Sequence, residues 1–130
     1  MALLLDTHAL LWALGAPDRL PPRVRAILSD RRERIVVSAA SAFEIATKYR
    51  FGRLDTAEAL VRDFTGIVER LGADQLPINS AHAIAAGLLS WAHRDPFDRM
   101  LAAQAAAEGL PLATVDRVFE DAAGVTVVWD

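Results

Sequence analysis

The stretch that decides the fold is MALLLDTHALLW, residues 1–12. Its apolar part is short and uninterrupted, as is typical of a strand that is buried on both faces. The run ends at the carboxylate of Asp6, and the residues that follow have the pattern of a helix. Asp6 is therefore predicted at the C-terminal end of a strand, the edge at which parallel sheets carry their functional groups.

The rest of the chain repeats this alternation of strand and helix. Apolar segments predict further strands over residues 35–37, 75–78, 111–114 and 125–129. Helical patterns predict helices from Pro21-Pro22, over about 41–49, over about 60–71, from Asn79 or Ser80, and over 95–109. Strands that alternate with helices imply a parallel sheet between helical layers. We therefore predict a single α/β domain over residues 1–130, with a central, mostly parallel sheet of about five strands flanked by helices.

Composition limits the class of protein. Hydrophobic residues make up 53% of the chain and the mean hydropathy is +0.23, so we expect a partner or an oligomer to cover some apolar surface. No apolar run approaches the ~20 residues that span a bilayer, and the start lacks the pattern of a signal peptide, which predicts no membrane and a cytoplasmic location. The absence of cysteine excludes thiolate metal sites, so any metal ion must be held by oxygen or imidazole ligands.

Four acidic residues, far apart in the sequence, are predicted to meet at one edge of the sheet. Asp6 and Asp116 each follow a strand and so lie at its C-terminal end. Glu44 is expected in the first turn of the helix after the second strand, which begins at the same edge. Asp98 is expected in the first turn of the helix that runs antiparallel to the fourth strand, so it lies at that edge as well.

This cluster of carboxylates favours a site for a divalent cation. Like charges a few ångströms apart repel, and a cation removes the conflict. Because Mg²⁺ and Mn²⁺ prefer oxygen ligands, we expect at least three of the four acids to share one ion, either directly or through water. Such an ion can activate water against a phosphodiester, which indicates hydrolysis of a nucleic-acid backbone. The formal charge of -3 is no objection, since without these four of the 17 acidic residues 13 remain against 14 basic ones.

Each acid also has a purely structural interpretation. Ser41 and Glu44 have the spacing of a capping box. Asp95 is a good N-cap before Pro96, and we favour that role for it, while Asp98 is a good first-turn acid. Asp116 could be only a turn residue, and Asp6 only a solvated strand end. Any one of these acids could have only a structural role. A purely structural role for all four at once would be a much less probable coincidence.

Four segments, in this order, resemble the motifs of PIN domains, specifically the VapC-type toxins of bacterial toxin–antitoxin pairs. They are DTHALLW (6–12), SAASAFEIA (38–46), RDPFDR (94–99) and ATVD (113–116). Each motif alone is weak, but four in the right order across the chain are specific. The resemblance implies a three-layer PIN-like fold and a metal-dependent endoribonuclease that uses Mg²⁺ or Mn²⁺. Its catalytic and metal-binding residues would be Asp6, Glu44, Asp98 and Asp116.

The resemblance also implies partners. These are an RNA substrate, a second copy of the chain in a homodimer, and a small cognate antitoxin that keeps the toxin inactive. Lys48, Arg50 and Arg53 would suit RNA phosphates. The aromatic residues of the early helices predict an exposed apolar groove for the antitoxin: Trp12, Phe43, Phe51 and Phe64.

Two other functions share features with this sequence. A phosphatase of the haloacid dehalogenase type also begins with a strand and an Asp, but it needs a second Asp where this chain has His8. A catalytically silent PIN-like domain, which binds RNA or an antitoxin without cleaving, would be expected to lack one of the four acids, and none is missing.

Several further polar residues have predicted roles. His8 is expected at a helix start or on the surface, and His82 and His93 are expected to face solvent. Hydroxyl groups that could hold a carboxylate belong to Thr7, Ser38 and Thr114, although a capping or strand role fits equally well. Arg99 either orients an acid or faces solvent.

Overall fold

The computed structural model describes residues 1–54 and 57–130. Over these residues the strands are β1 (Ala2–Leu5), β2 (Arg34–Ser38), β3 (Ala73–Leu76), β4 (Leu112–Ala113) and β5 (Val127–Val128). The α-helices are α1 (Thr7–Gly15), α2 (Pro22–Ser29), α3 (Ala39–Arg50), α4 (Glu58–Arg62), α5 (Phe64–Leu71), α6 (Ser80–Leu88) and α7 (Pro96–Glu108). Short 3-10 helices cover Pro17–Arg19 and Arg117–Asp121.

The strands form one parallel sheet, in the order β3-β2-β1-β4-β5. Strand β1 is central and pairs with β2 on one side, where Leu5 lies opposite Val37, and with β4 on the other, where Leu5 lies opposite Ala113. The strand order therefore reverses direction at β1, and a crevice opens at its C-terminal end. The predicted α/β fold with a five-stranded sheet between helices is confirmed.

The central strands are apolar throughout because helices cover both faces of the sheet. Leu3 and Leu5 point into a core formed with α1, α2, α4 and α5, whereas Leu4 points into a second core formed with α7. All three leucines are fully buried. This two-sided burial explains why the opening run shows no alternation of polar and apolar residues.

Two helices differ from their predicted bounds. The helix predicted from about residue 41 begins at Ala39, directly after β2, because the side chain of Ser38 caps it by accepting a hydrogen bond from the Ala40 amide at 2.9 Å. The helix predicted over about 60–71 is two helices, α4 and α5. Asp63 separates them, since its carboxylate accepts a hydrogen bond from the Gly66 amide at 3.0 Å and starts a new helix there.

Glycines end two of the helices as predicted. Gly72 and Gly109 follow α5 and α7 with φ of 84° and 64°, a left-handed conformation that costs glycine little. Within residues 1–54 and 57–130, no helix is long and apolar enough to cross a membrane.

Candidate metal and active site

All four predicted acids line one cavity of about 280 Å³ at the C-terminal end of β1. The topology accounts for this juxtaposition, because β1, β2 and β4 run parallel and the helices α1, α3 and α7 all have their N-termini at this edge. Its lining comprises Asp6, Thr7, His8, Glu44, Lys48, His93, Asp95, Asp98, Asp116 and Phe119.

Asp6 lies deepest and is held in a fixed orientation. Its carboxylate caps α1 by accepting a hydrogen bond from the Ala9 amide at 2.8 Å, and only 5% of the residue is exposed. Burial raises the pKa of Asp6 from 3.8 to about 6, although hydrogen bonds from Thr114 and the Ala9 amide and the charge of His8 oppose the rise. The negative charge of Asp98 adds to it. The negative charge of Asp6 is therefore only partly compensated by its surroundings.

Glu44 lies in the second turn of α3, not in the first as predicted, because the helix begins earlier. It does not form the capping box with Ser41 that the spacing of the two residues would allow. Instead its Oε1 accepts a hydrogen bond from the Thr7 hydroxyl at 2.6 Å, and its Oε2 is paired with Lys48 one turn further along the helix. The Glu44 side chain is 7% exposed and the Lys48 side chain 33%. A hydroxyl that holds a carboxylate, as predicted for Thr7, is confirmed.

Asp98 lies in the first turn of α7 and contacts His93. The His93 Nε2 lies 2.7 Å from Asp98 Oδ2, so the prediction that His93 faces solvent is wrong. Burial raises the pKa of Asp98, His93 lowers it, and the negative charges of Asp95 and Glu44 raise it. Asp95 caps α7 as predicted, accepting hydrogen bonds from the amides of Phe97 at 2.9 Å and Asp98 at 3.1 Å.

Asp116 forms the open rim of the cavity. Its side chain caps the last 3-10 helix by accepting a hydrogen bond from the Val118 amide at 3.0 Å, and the residue is exposed. The Thr114 hydroxyl accepts a hydrogen bond from the Asp116 amide at 3.0 Å, and its interaction with Asp6 lowers the pKa of that carboxyl. Thr114 thus links two of the four acids, in the role predicted for it.

Sequence patterns did not reveal the role of Arg99, which holds the segment before α7. Its guanidinium donates to five backbone carbonyls, at distances of 2.7–3.4 Å, and these belong to Ala86, Gly87, Leu89, Trp91 and His93. It therefore ties the end of α6 to the loop that carries His93. Neither predicted role for Arg99 is correct, because it neither orients an acid directly nor lies free in solvent. The sequence gives no signal for this role of Arg99. Every residue has a backbone carbonyl, so residue types do not show which carbonyls accept its hydrogen bonds.

A buried polar chain runs behind the cavity. The Ser38 hydroxyl donates to the Gln104 side chain, whose amide nitrogen donates to the Pro77 carbonyl at 3.2 Å. His82, predicted to face solvent, is only 2% exposed. It is held by the Asn79 amide at 3.2 Å and lies 3.2 Å from Glu108. Ser38 therefore caps α3 and anchors Gln104, and it does not hold a carboxylate.

The four carboxylates have the donor chemistry for a hard divalent cation, but their side chains are turned to different partners. In the described part of the chain, no group of three or more His, Cys, Asp or Glu side chains is placed to hold a metal ion. Three of the acids are therefore not placed to bind one cation directly, and the expectation that they share a cation through water stays a prediction. Glu44 is occupied by Thr7 and Lys48, and Asp98 by His93. A cation that bound these two carboxylates would compete with those partners.

A separate apolar groove of about 620 Å³ lies beside α1, lined by Trp12, Leu11, Leu14, Leu54, Leu60 and Ile67 together with His8, Gly15, Ala16 and Ala59. Of the four aromatic residues predicted to form such a groove, only Trp12 lines it. Phe43 is 66% exposed and meets Phe97 edge to face at 5.2 Å, and Phe51 is 61% exposed under the guanidinium of Arg50. Phe64 packs against the core.

Known proteins share this fold and sequence pattern. The sequence pattern of the PIN domain matches residues 3–125. The chain belongs to the PIN-domain family. Over 58 residues, this PIN domain is 41% identical to Ribonuclease VapC16 of Mycobacterium tuberculosis, an alignment that covers 45% of this chain and 41% of that protein. The chain thus spans less than half the length of that relative.

Solved structures extend the likeness over the whole fold. The PIN domain superposes with a TM-score of 0.73 and 17% identity on VapBC2 from Rickettsia felis bound to a DNA fragment from its promoter, covering 100% of both chains. It superposes on DNA-bound VapBC from Salmonella typhimurium with a TM-score of 0.71 and 20% identity, covering 98% of this chain and 97% of that one. At these identities the likeness establishes the fold.

Proposed function

We propose that this PIN domain is a metal-dependent endoribonuclease and the toxin of a toxin–antitoxin pair. The observation that carries the proposal is the convergence of four carboxylates, from four distant parts of the chain, on one cavity. The fold has no need of such a cluster, because the repulsion between the acids makes the folded state less stable. The ribonuclease relative supports the reaction class, and the four motifs that resemble VapC-type toxins support the biological role.

Asp6, Glu44, Asp98 and Asp116 are the residues that would hold Mg²⁺ or Mn²⁺. Their fit rests on an oxygen-only donor set and on the poorly compensated charge of Asp6, whose pKa is raised to about 6. A divalent cation bound there would activate a water molecule and stabilise the charge that develops on the phosphate. Hydrolysis adds that water across one phosphodiester bond, leaving a phosphate on one RNA fragment and a hydroxyl on the other.

The chain's own contribution is to hold these carboxylates in place. Asp6 is oriented by the Ala9 amide and Thr114, and Glu44 by Thr7. Asp98 is oriented by His93. Groups that are fixed before the substrate arrives need little reorganisation during the reaction, which is a main source of catalytic power.

The apolar groove beside α1 supports a protein partner. We propose that the antitoxin lays an apolar helix or extended segment in this groove, which lies next to the acidic cavity through the shared residue His8. We also propose that the toxin acts in the cytoplasm as a homodimer. Light scattering at micromolar concentration tests the homodimer, and a monomer at that concentration would contradict it.

RNA cleavage by the purified protein tests the proposed activity. Cleavage of single-stranded RNA should stop with a chelator and return with Mg²⁺ or Mn²⁺, and Asp6→Asn and Asp98→Asn should both be inactive. Asp63→Asn is the matched control, because Asp63 also caps a helix but lies outside the cavity. Cleavage that survives complete chelation refutes the metal mechanism. Binding of RNA without cleavage would instead favour a catalytically silent domain.

Expression in cells tests the role as a toxin. The wild-type protein should arrest growth, and Asp6→Asn should not. Growth that continues while the active wild-type enzyme accumulates would contradict the toxin role and leave the ribonuclease assignment in place.

A further inference from the structure

The only lysine in the 130-residue sequence, Lys48, lines the acidic cavity and is paired with one of its acids. It lies one helical turn after Glu44 on α3 and contacts Glu44 Oε2 directly. No arginine lines this cavity, so Lys48 is the one lysine or arginine in it among the residues that the structure describes. The position of a single lysine inside an acidic cavity calls for a function beyond solubility.

The ammonium of Lys48 contacts a carboxylate that a cation in this cavity would also use. Glu44 has one oxygen on the Thr7 hydroxyl and the other on Lys48, so each oxygen already has a partner. A divalent cation that takes Glu44 must therefore compete with the ammonium, and the two positive charges repel each other. The stronger charge of the divalent ion, which is shared with the other acids, favours displacement of Lys48.

A displaced Lys48 can reach a substrate phosphate. Its side chain is 33% exposed and ends in a flexible four-carbon stem, whereas Glu44 is 7% exposed and fixed. Once the cation neutralises the acids, the released ammonium is available to an anionic RNA backbone that enters the cavity. Lysine contacts phosphate as a mobile point charge, which suits a residue that changes partner.

We propose that Lys48 is a phosphate-binding residue that metal binding releases from Glu44. In the metal-free protein it neutralises Glu44, and in the loaded protein it contacts the phosphate next to the cleaved bond. This inference rests on the proposed ribonuclease function. Lys48 has two successive partners, first Glu44 and then the phosphate. The protein therefore gains a site for the phosphate only after the cation is bound.

The single lysine makes a direct test possible, because protein labelled with nitrogen-15 at lysine Nζ gives one side-chain ammonium resonance. In the wild-type protein this resonance should shift or broaden on addition of Mg²⁺, and shift again on addition of a single-stranded DNA oligonucleotide as an uncleaved phosphate analogue. In Glu44→Gln it should already differ from the wild-type resonance without metal and respond little to Mg²⁺. A resonance that saturating Mg²⁺ leaves unchanged in the wild-type protein overturns the proposal.

Variants separate substrate binding from metal binding. Lys48→Met should raise KM for RNA by about tenfold or more, the cost of one charge-assisted phosphate contact, while Mn²⁺ affinity measured by calorimetry stays the same or rises. Arg62→Met is the matched control, because Arg62 also pairs with an acid one helical turn before it, Glu58, but does not line the cavity. A loss of Mn²⁺ affinity in Lys48→Met, with KM unchanged, would show that the lysine only supports the metal site.

The two proposals fail in different ways. A wild-type protein that neither binds Mn²⁺ nor cleaves RNA refutes the ribonuclease function, and this inference with it. A wild-type protein that binds Mn²⁺ and cleaves RNA, with a Lys48 resonance that does not respond to Mg²⁺, refutes only the role of Lys48.

Discussion

Replacement of Asp6 by Asn should stabilise the metal-free protein at neutral pH. The carboxylate is 5% exposed and is ionised above a pKa of about 6, in a cavity that holds other acids. Asn removes the charge but keeps an oxygen that can accept the hydrogen bond from the Ala9 amide, because Asn and Asp are equally good N-caps. The substitution therefore isolates the cost of one buried charge from the loss of a helix cap.

The size and the pH dependence of the effect follow from the pKa of Asp6. Folding raises that pKa from 3.8 to about 6, so the folded state holds the proton more tightly than the unfolded state. The contribution of Asp6 to the free energy of unfolding therefore falls as pH rises from about 4 to 6, and the full loss of about 3 kcal/mol is present at pH 7. For a chain of 130 residues this corresponds to a rise in Tm of roughly 10 °C in Asp6→Asn. Near pH 4 the two proteins should be equally stable.

Urea and thermal unfolding in the presence of a chelator, at several pH values between 4 and 8, measure this difference. Asp63→Asn is the control, since Asp63 also caps a helix but its side chain is 58% exposed, and its effect should be within about 0.5 kcal/mol at every pH. Mg²⁺ should stabilise the wild-type protein and reverse the order of stability. If Asp6→Asn is less stable than the wild-type protein at pH 7 without metal, Asp6 has a structural role and the argument from buried charge is wrong.

Three further substitutions test how the fold supports the site, each measured by urea unfolding without metal. Arg99→Met should cost about 2–3 kcal/mol because five carbonyls lose their donor, and an effect no larger than that of the exposed Arg94→Met would contradict the clamp. Ser38→Ala should cost about 1–2 kcal/mol through loss of the α3 cap, and a neutral result would mean that the helix needs no side-chain cap. Gly72→Ala should cost about 1 kcal/mol from its φ of 84° alone, since nothing lies within 4 Å of the added methyl group, so a stabilised variant would refute the left-handed assignment.

Local patterns in the sequence determined the order of strands and helices. An uninterrupted apolar run at residues 1–5 requires helices on both faces of β1, and Gly72 and Gly109 end their helices through a conformation that favours glycine. Parallel strands place their C-terminal ends at one edge whatever the side-chain contacts, so the meeting of the four acids at that edge also followed from sequence. The sequence predicts the first residue of a helix less accurately where a capping side chain sets it, as Ser38 does for α3 and Asp63 for α5.

Only the tertiary structure decided which partner each polar side chain takes. The sequence does not show the environments of His93, His82 and Arg99, because their partners are a carboxylate, a buried polar chain and backbone carbonyls that packing brings near. The early start of α3 placed Glu44 against Thr7 and Lys48, and no spacing in the sequence distinguishes that arrangement from a capping box. A periodic pattern records which face of an element is buried, whereas the partner of a buried polar group depends on angles and distances between elements far apart in the chain.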